Sequence, residues 1–514
     1  MLMNPTLFLP PLCFLYFVFK YHSLGYFCFG AAALILFYSI FFLSATQKIR
    51  AQLFAFNPLI LFILVAAGLS LFGAWQYFQM NDQGDMDQSC YSTALWNMRH
   101  GTLHYDFDGK NMFGIHSQYT APLWLPVQIF FGDLGLKLFQ GFGLIFSSLF
   151  LTRFLWKSSQ EDLDPAQKLT NRNAALWASL AILLAAPVAS QFFYGFHPEL
   201  IGAPFLVVAL IMYRKQNLWG FLICTAVLAY TKETFTLVIG GILLLALIEK
   251  RNWKWIFLPG ILCCVQMGIY WFLILPHFAP KGNMLSGLMP HSLHDVFHNW
   301  FRPQTLMYFF QASLPFLPLL LVMPKKYLVL PIPLMLFYAA FPDSAFMVMW
   351  VNYPFPTAFL FSAGLILETN LNFSANAALD KTHSTKMIDL RIVITCALIA
   401  LLSYPLWREI FTVPMANLHR SREVDKLNAS IPLNSSVIVN TPSLTRFAPR
   451  CEISTWVGHV KPLDYFEYAV IDTVLPFWGF TSHQRKLSVD SLTKNPNWTM
   501  EYGEKGLYLF HRNK

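Results

Sequence analysis

The run LFAFNPLILFILVAAGLSLFGAWQYF, residues 53–78, is long enough to cross a bilayer and carries no charged residue. A backbone in hydrocarbon has to satisfy its own hydrogen bonds, so a run of this kind folds as a helix. Similar runs recur along the chain. The candidate spans are 6–19, 25–44, 56–78, 134–152, 173–189, 199–213, 217–231, 234–249, 255–275, 305–323, 327–341, 352–368 and 390–406. Only 12% of the residues are charged and 56% are hydrophobic, whereas a soluble domain carries about 25% charged residues. The fold class read from this is a mainly α, polytopic membrane protein with a bundle of about 13 transmembrane helices.

Lys and Arg set the expected orientation. Lys48, Arg50, Arg153, Lys157, Lys168, Arg172, Arg214, Lys215, Lys250, Arg251, Lys254, Lys325, Lys326, Lys381, Lys386 and Arg391 fall in one set of loops. The alternate set holds Arg99, Lys110, Lys137, Lys232, Lys281 and Arg302. Sixteen against six makes the first set cytoplasmic. The N-terminus is then cytoplasmic, and the 79–133 loop, the turns at 197–199 and 232–233, the 276–304 and 342–351 segments and the C-terminal tail lie outside. The expected location is a bacterial inner membrane. The net charge of +9 is spent largely on these short loops and gives no sign of nucleic acid as a partner.

Three regions follow. Residues 1–50 hold two N-terminal spans, 51–406 the main membrane module with outer loop 79–133, and 407–514 an extracytoplasmic α/β domain. In the outer loop, YTAPLWLPVQIFF (119–131) is too short and proline-rich to span and reads as interfacial or re-entrant. In the tail, VIVN (437–440), EISTW (452–456) and YAVIDTV (468–474) read as buried strands. Residues 498–512 read as a hairpin turning at Gly503-Glu504-Lys505, and a helix is expected over 412–429. Six of the eight cysteines sit in apolar runs; Cys90 and Cys451 lie outside them on one expected side, where a disulfide is one option.

The ionisable residues at the outer ends of the spans form a pattern. Asp85 and Asp87 follow the third span, in NDQGDMDQSC. His116 sits in GIHSQYTAP, His197 and Glu199 in FHPEL, Lys232 and Glu233 in YTKETF, and Asn352 and Tyr353 open the twelfth span. Each has a plainer reading. The aspartates suit a solvated loop, His-Pro-Glu suits turn chemistry with proline in a first helical turn, and Tyr353 suits an interfacial aromatic belt. Lys232-Glu233 suits a surface ion pair worth about 0–1 kcal/mol. Yet charges in so short a turn between apolar runs are costly without partners, and all of these residues fall at one face. Together they describe an outward cavity lined by carboxylates, imidazoles and an ammonium.

A membrane sugar transferase needs such a cavity. Its donor would be a sugar on a polyprenyl phosphate, with the tail among the helices and the phosphate at the interface. A hydroxyl acceptor needs a general base, which a placed carboxylate supplies. The phosphate leaving group needs charge stabilisation more than a strong acid, and Lys or His could provide it. A carboxylate also favours an oxocarbenium-like transition state. The acceptor would be a glycan, lipid or protein. Two alternatives use the same residues: a non-catalytic binding protein and a transporter of a lipid-linked substrate. The repeated halves common in secondary transporters are not visible in this chain. Asp85-x-Asp87 could also hold Mg²⁺ or Mn²⁺ through oxygen ligands.

The order GDMDQSCYSTALWNMRHG, GIHSQYTAPL, FHPELIGAPFLVVAL and AYTKETFTLVIGG resembles a bacterial family of membrane proteins known as domain of unknown function 2079. The likeness covers roughly residues 56–370 and extends into the tail. Aligning Leu95-Trp96-Asn97 with the family pattern puts Asp87 on the family aspartate, with Asp85 as a second candidate. The family in turn resembles the GT-C glycosyltransferases, which use lipid-phosphate sugars. The resemblance implies a GT-C-like bundle and Asp87 as base or metal ligand, with 56–78 as the module's first helix. It implies substrate-binding roles for His116, His197, Glu199, Lys232, Glu233 and Tyr353. This chain departs from the pattern at Thr93, where the family tends to carry Gln, and at Asn352-Tyr353, where it tends to carry His-Tyr.

Overall fold

The computed structural model describes residues 58–78, 85–103, 111–158, most of 176–192, 194–279, most of 290–305, 325–341 and most of 417–513. The expected spans 6–19, 25–44, 352–368 and 390–406, all but the first residue of 305–323, and the candidates Asn352 and Tyr353 lie outside these residues, as does Cys451.

Among the described residues, three helices are long and apolar enough to cross a membrane: Leu59–Phe78, Ala121–Phe154 and Lys254–Phe278. Leu218–Thr231, Thr234–Ile248 and Lys326–Ala340 are apolar but shorter. The described residues therefore do not confirm the expected count of about 13 spans. At 1.5 Å per residue a helix of 14 residues reaches about 21 Å, less than the hydrocarbon core of about 30 Å.

The helices run α1 (Pro58–Phe78), α2 (Asp85–Arg99), α3 (Leu125–Ser158), α4 (Gly202–Arg214), α5 (Leu218–Thr231), α6 (Thr234–Ile248), α7 (Lys254–Ile269), α8 (Leu293–Trp300) and α9 (Ile332–Ala340). α3 packs on both α1 and α4, α4 on α5, α5 on α7, and α6 on α7 and α9. Their shared core holds Phe62, Leu144, Leu206, Phe235, Ile239 and Leu334, all buried. Large apolar side chains such as Ile63, Leu71, Phe146, Trp219, Phe257 and Phe272 stay exposed along the same helices. A membrane protein presents such residues to lipid, where exposure of this kind costs nothing.

The segment expected to be interfacial or re-entrant forms a short helical piece of its own, set off from the long apolar helix by a kink at Gly132. A 3₁₀ turn over Ala121–Trp124 runs straight into α3, and the helix is broken only at Gly132 (φ 64°, ψ −164°). That conformation is open to glycine and strained for any other residue. It separates the short entry helix from the long apolar stretch and lets the two take different directions.

The C-terminal part folds as α10 (Asn417–Ser430), β1 (Ser436–Val439), β2 (Glu452–Thr455), β3 (Tyr468–Asp472), α11 (Ser482–Lys494), β4 (Trp498–Glu504) and β5 (Leu507–Arg512). The sheet order is β2-β1-β3-β5-β4, with β1 parallel to β2 and β3 and the other pairs antiparallel. The alternation of side chains along a strand divides the residues between two cores. Val437, Val439, Val470, Leu507 and Leu509 face Val424 and Leu427 of α10. Ile438, Ala469, Ile471 and Phe510 face Val489 and Leu492 of α11. Both faces of the sheet are covered, which explains the near-continuous apolar strands.

Arg420 of α10 grips Asp472 of β3 with two hydrogen bonds of 2.7 and 2.9 Å. The hairpin turns two residues later than expected, at Lys505-Gly506, both at positive φ (49° and 76°). That is the backbone of a two-residue primed turn, which matches the twist of the strands. α11 carries a sequence signal not read in advance, a capping box between Thr481 and Gln484.

Candidate active site

α2 is a polar helix buried on three sides, and its sequence shows how. Side chains four apart share a face, and successive residues turn by about 100°. Asp87 and Tyr91 form one face, Gln88 and Ser92 the next, Ser89 and Thr93 the third. Gln88 Oε1 accepts the Phe196 N–H at 3.2 Å. Ser92 donates to Asp133, while Gln128 Nε2 donates to the Ser92 carbonyl at 2.8 Å and to Asp133 at 3.3 Å. Thr93 Oγ1 donates to the Ala448 carbonyl of the C-terminal domain at 2.5 Å. Cys90 packs against the cluster formed by Tyr91, Leu95, Trp124 and Phe196, and Cys451, its candidate disulfide partner, lies outside the described residues. Asp85 and Asp87 fall in the first turn of α2, the end of a helix that favours negative charge.

FHPEL forms the second wall. His197 is extended (φ −133°, ψ 119°) and precedes a 3₁₀ turn, Pro198–Ile201, that opens with proline and leads into α4. Its N–H is held by Gln140 Oε1 at 2.8 Å, and Trp124 Nε1 donates to the Pro198 carbonyl at 3.1 Å. The third wall is the link between α5 and α6. Lys232 is extended (φ −164°, ψ 146°) and Glu233 begins the next helix. The backbone changes from extended at Lys232 to helical at Glu233, and Lys232 reaches Glu199 while Glu233 reaches His116.

Two arms result. In the first, Asp87 Oδ2 lies 3.5 Å from His197 Nε2, His197 Nδ1 lies 3.5 Å from Glu199 Oε1, and Lys232 Nζ donates to the same Glu199 oxygen at 2.6 Å. Tyr194 stacks on the His197 ring and donates to Asp87 Oδ2 at 3.2 Å. In the second, Glu233 Oε1 meets His116 Nδ1 at 2.6 Å, and its other oxygen accepts the Ser117 N–H at 3.0 Å and hydroxyl at 3.2 Å. Gln118 joins the arms, donating to Tyr91 at 2.7 Å and to Glu199 Oε2 at 3.4 Å.

All of these groups lie outside the spanning helices. Burial alone would raise the Asp87 carboxyl, but His197 beside it, then Tyr194 and the Lys232 charge, hold it below its ordinary value. Burial works against the Glu199 charge too, and Lys232 and His197 outweigh it, leaving Glu199 well below the usual range. His197 would be lowered by burial but is raised by Glu199 and Asp87. Lys232, also opposed by burial, is raised by Glu199 and Glu233. Glu233 is opposed by burial and brought down to about 2, first by the His116 charge. The first arm thus alternates acidic and basic groups: Asp87, His197, Glu199, Lys232.

Accessibility separates the members. Asp87 keeps 45% of its side-chain surface exposed, whereas His197 keeps 3% and Glu199 and Lys232 keep 5% each. The burial that opposes the Asp87 charge comes from the protein packed around it, while part of its side chain stays open. The Lys232 ammonium pairs with Glu199 at 2.6 Å. His116 is partly accessible at 19%.

The structure brings Asp87, His197, Glu199 and Lys232 into one chain, and His116 and Glu233 into a second beside it. Asp85 is placed by its backbone at the start of α2. Sequence reading missed Tyr91, Gln118, Gln140 and Tyr194. Gln118 and Tyr194 carried a signal, since each lies within three residues of a motif histidine. Among the described residues no group of three or more His, Cys, Asp and Glu converges as metal ligands, and Asp87 spends one oxygen on His197 and Tyr194.

Comparison with known proteins agrees with this architecture. Residues 76–509 match the model of a family described as "Predicted membrane protein (DUF2079)". The fold resembles that of ArnT from Cupriavidus metallidurans bound to undecaprenyl phosphate, at a TM-score of 0.53 and 11% identity, over 88% of this chain and 97% of that one. The apo form of the same protein aligns equally well, at a TM-score of 0.53 and 12% identity, with the same coverage. The oligosaccharyltransferase of Archaeoglobus fulgidus in its apo form aligns at a TM-score of 0.38 and 12% identity, over 81% of this chain and 69% of that one. No curated protein matches the chain. The fold is thus similar to that of ArnT, a GT-C glycosyltransferase.

Proposed function

We propose, for a chain that belongs to the DUF2079 family of predicted membrane proteins, that it is a membrane glycosyltransferase using a polyprenyl-phosphate sugar. The observation that carries this is Asp87, a half-open carboxylate at the mouth of the buried His197-Glu199-Lys232 chain. The undecaprenyl phosphate bound by ArnT supports a lipid phosphate as the leaving group here. The bias of Lys and Arg supports an extracytoplasmic position for the site and the C-terminal domain, and in this reading the membrane is a bacterial inner membrane.

In this reading the acceptor hydroxyl lies against Asp87. As its oxygen bonds to the anomeric carbon, the carbon–phosphate oxygen bond breaks and its electron pair leaves on polyprenyl phosphate. The hydroxyl proton passes to the Asp87 carboxylate. Because His197 keeps Asp87 ionised, the carboxylate is always ready to accept and also opposes the positive charge that develops on the sugar. His197 positions Asp87, and Glu199 and Lys232 hold His197. His116, fixed by Glu233, is the accessible cation candidate for the phosphate. A divalent ion held by Asp85 and Asp87 would have to use the Asp87 oxygen that faces away from His197.

The test is release of polyprenyl phosphate from a panel of polyprenyl-phosphate sugars by the purified full chain. Asp87→Asn is expected to fold and insert normally while losing about 10²- to 10⁴-fold in rate. A fully active Asp87→Asn protein overturns the role of Asp87. Binding of the lipid without release from any donor overturns the transferase reading.

A further inference from the structure

α2 carries Asp87, but much of what holds α2 in place comes from the other end of the chain. The helical turn Leu444–Phe447 packs directly on it. Leu444, Thr445 and Phe447 of that turn are buried, as is Thr93 opposite. The Thr93 hydroxyl is committed to the Ala448 carbonyl at 2.5 Å.

Arg446, in the middle of the same turn, makes the second attachment. Its guanidinium lies over the rings of Tyr77 and Phe78, with centroids at 4.5 and 5.7 Å. Its Nη2 donates to the Tyr77 carbonyl at 3.3 Å and to the Ser421 hydroxyl of α10 at 2.8 Å. Its Nη1 lies 3.5 Å from Asp425 Oδ1, and its own carbonyl accepts from Asn428 Nδ2 at 2.5 Å. The Tyr77 carbonyl is one of the orphan acceptors at the C-terminal end of α1. A single side chain of the C-terminal domain therefore caps the helix that leads into α2, while the next turn of that domain bonds α2 itself. α1 is thus held at its C-terminal end through Tyr77, and α2 at Thr93.

We propose that the C-terminal domain is a positioning element of the active site, and that Arg446 and Thr93 are the residues through which it sets Asp87. The inference rests on the transferase reading for its catalytic consequence, though not for the clamp itself. Undocking the turn would free α2 to shift by an ångström or so against His197, a displacement that costs on the order of 10²-fold when it affects a reacting group. Anything that binds the C-terminal domain and loosens this contact would then slow transfer without touching the substrate.

The test uses the full chain and the variants Arg446→Ala, Arg446→Lys and Thr93→Val. The last removes one hydrogen bond at nearly constant shape and serves if Arg446→Ala does not fold. Amide hydrogen exchange reads the clamp without reference to activity. The expected result is exchange in 85–99 faster by about tenfold in Arg446→Ala and less in Thr93→Val, with α4 to α6 and β1 to β5 unchanged. In the release assay kcat falls by about 10²-fold while the KM for the donor holds, and Arg446→Lys recovers part of the loss. Unaltered exchange in 85–99 for both Arg446→Ala and Thr93→Val overturns the proposal, as does a rise shared equally by all helices. If the wild type releases nothing, the transferase reading fails, and the exchange result still decides the clamp.

Discussion

Removing Lys232 tests the buried chain most directly. Its ammonium meets Glu199 at 2.6 Å, and each side chain keeps only 5% of its surface exposed. Lys232→Met therefore leaves a buried carboxylate without its strongest partner. Breaking such a pair from one side costs about 3–5 kcal/mol. His197, 3.5 Å from the same oxygen, stays as partial compensation, so the lower end, about 3 kcal/mol, is expected. Glu199→Gln strands the ammonium in the same way, with Glu233 as a nearby charge. The double variant Glu199→Gln/Lys232→Met removes both charges and should recover a large part of either loss, giving a coupling of about 2 kcal/mol or more. The assay is reversible unfolding in mixed micelles followed by tryptophan fluorescence. Single losses below about 1 kcal/mol that simply add would mean the pair behaves as a surface ion pair, and the argument for a chain of alternating acidic and basic groups behind Asp87 would fall.

Acid stability should report the second arm. Glu233 is depressed from 4.5 to about 2, so its contribution is complete above 4.5 and is lost as pH falls from there through about 2. Glu233→Gln should flatten the unfolding free energy across that window. His197 is raised above its ordinary value of 6.5, so its contribution is complete below 6.5 and lost as pH rises through the higher folded value; His197→Gln should remove that alkaline loss in the same titration. Gly132→Ala forces a side chain into φ 64°, ψ −164° and should cost about 1–3 kcal/mol, read by the same unfolding assay. Gly506→Ala meets both a positive φ (76°) and a Cβ contact 2.7 Å from Thr473 Oγ1. It should destabilise the C-terminal sheet by a similar 1–3 kcal/mol, seen as faster exchange of the β5 amides.

Much of the chemistry was legible before any coordinates. Charged residues at the ends of apolar runs are expensive, so FHPEL, GIHSQY and YTKETF each announced a partner somewhere. The strands of the tail were legible for a related reason: runs such as VIVN and YAVID are apolar on both faces and therefore have to be covered on both. Less was legible where two features compete in one window. In the 119–131 piece the prolines and the length argue against a span, but nothing in the pattern says that the piece is helical or that the break falls at the single glycine 132. The hairpin turn was misplaced because Gly503 is the more visible glycine, while the strands pair through Gly503↔Tyr508 and Glu504↔Leu507 and leave only Lys505 and Gly506 to turn.

The sequence by itself determined that the chain is a helical membrane protein with a small mixed domain at its end, and which residue types would meet at the polar ends of its helices. Hydropathy and period are local properties, so a single strand of text carries them. Only the tertiary structure decided the pairing. Lys232 and Glu233 are neighbours, yet one pairs with Glu199 and the other with His116, 117 residues away in the chain. The choice comes from a backbone that changes from extended at Lys232 to helical at Glu233, and from folds of the chain that bring three distant turns to one level. The grip of Arg446 on Tyr77 spans 369 residues; no local pattern encodes a contact of that range, because it exists only once two separately formed cores have docked.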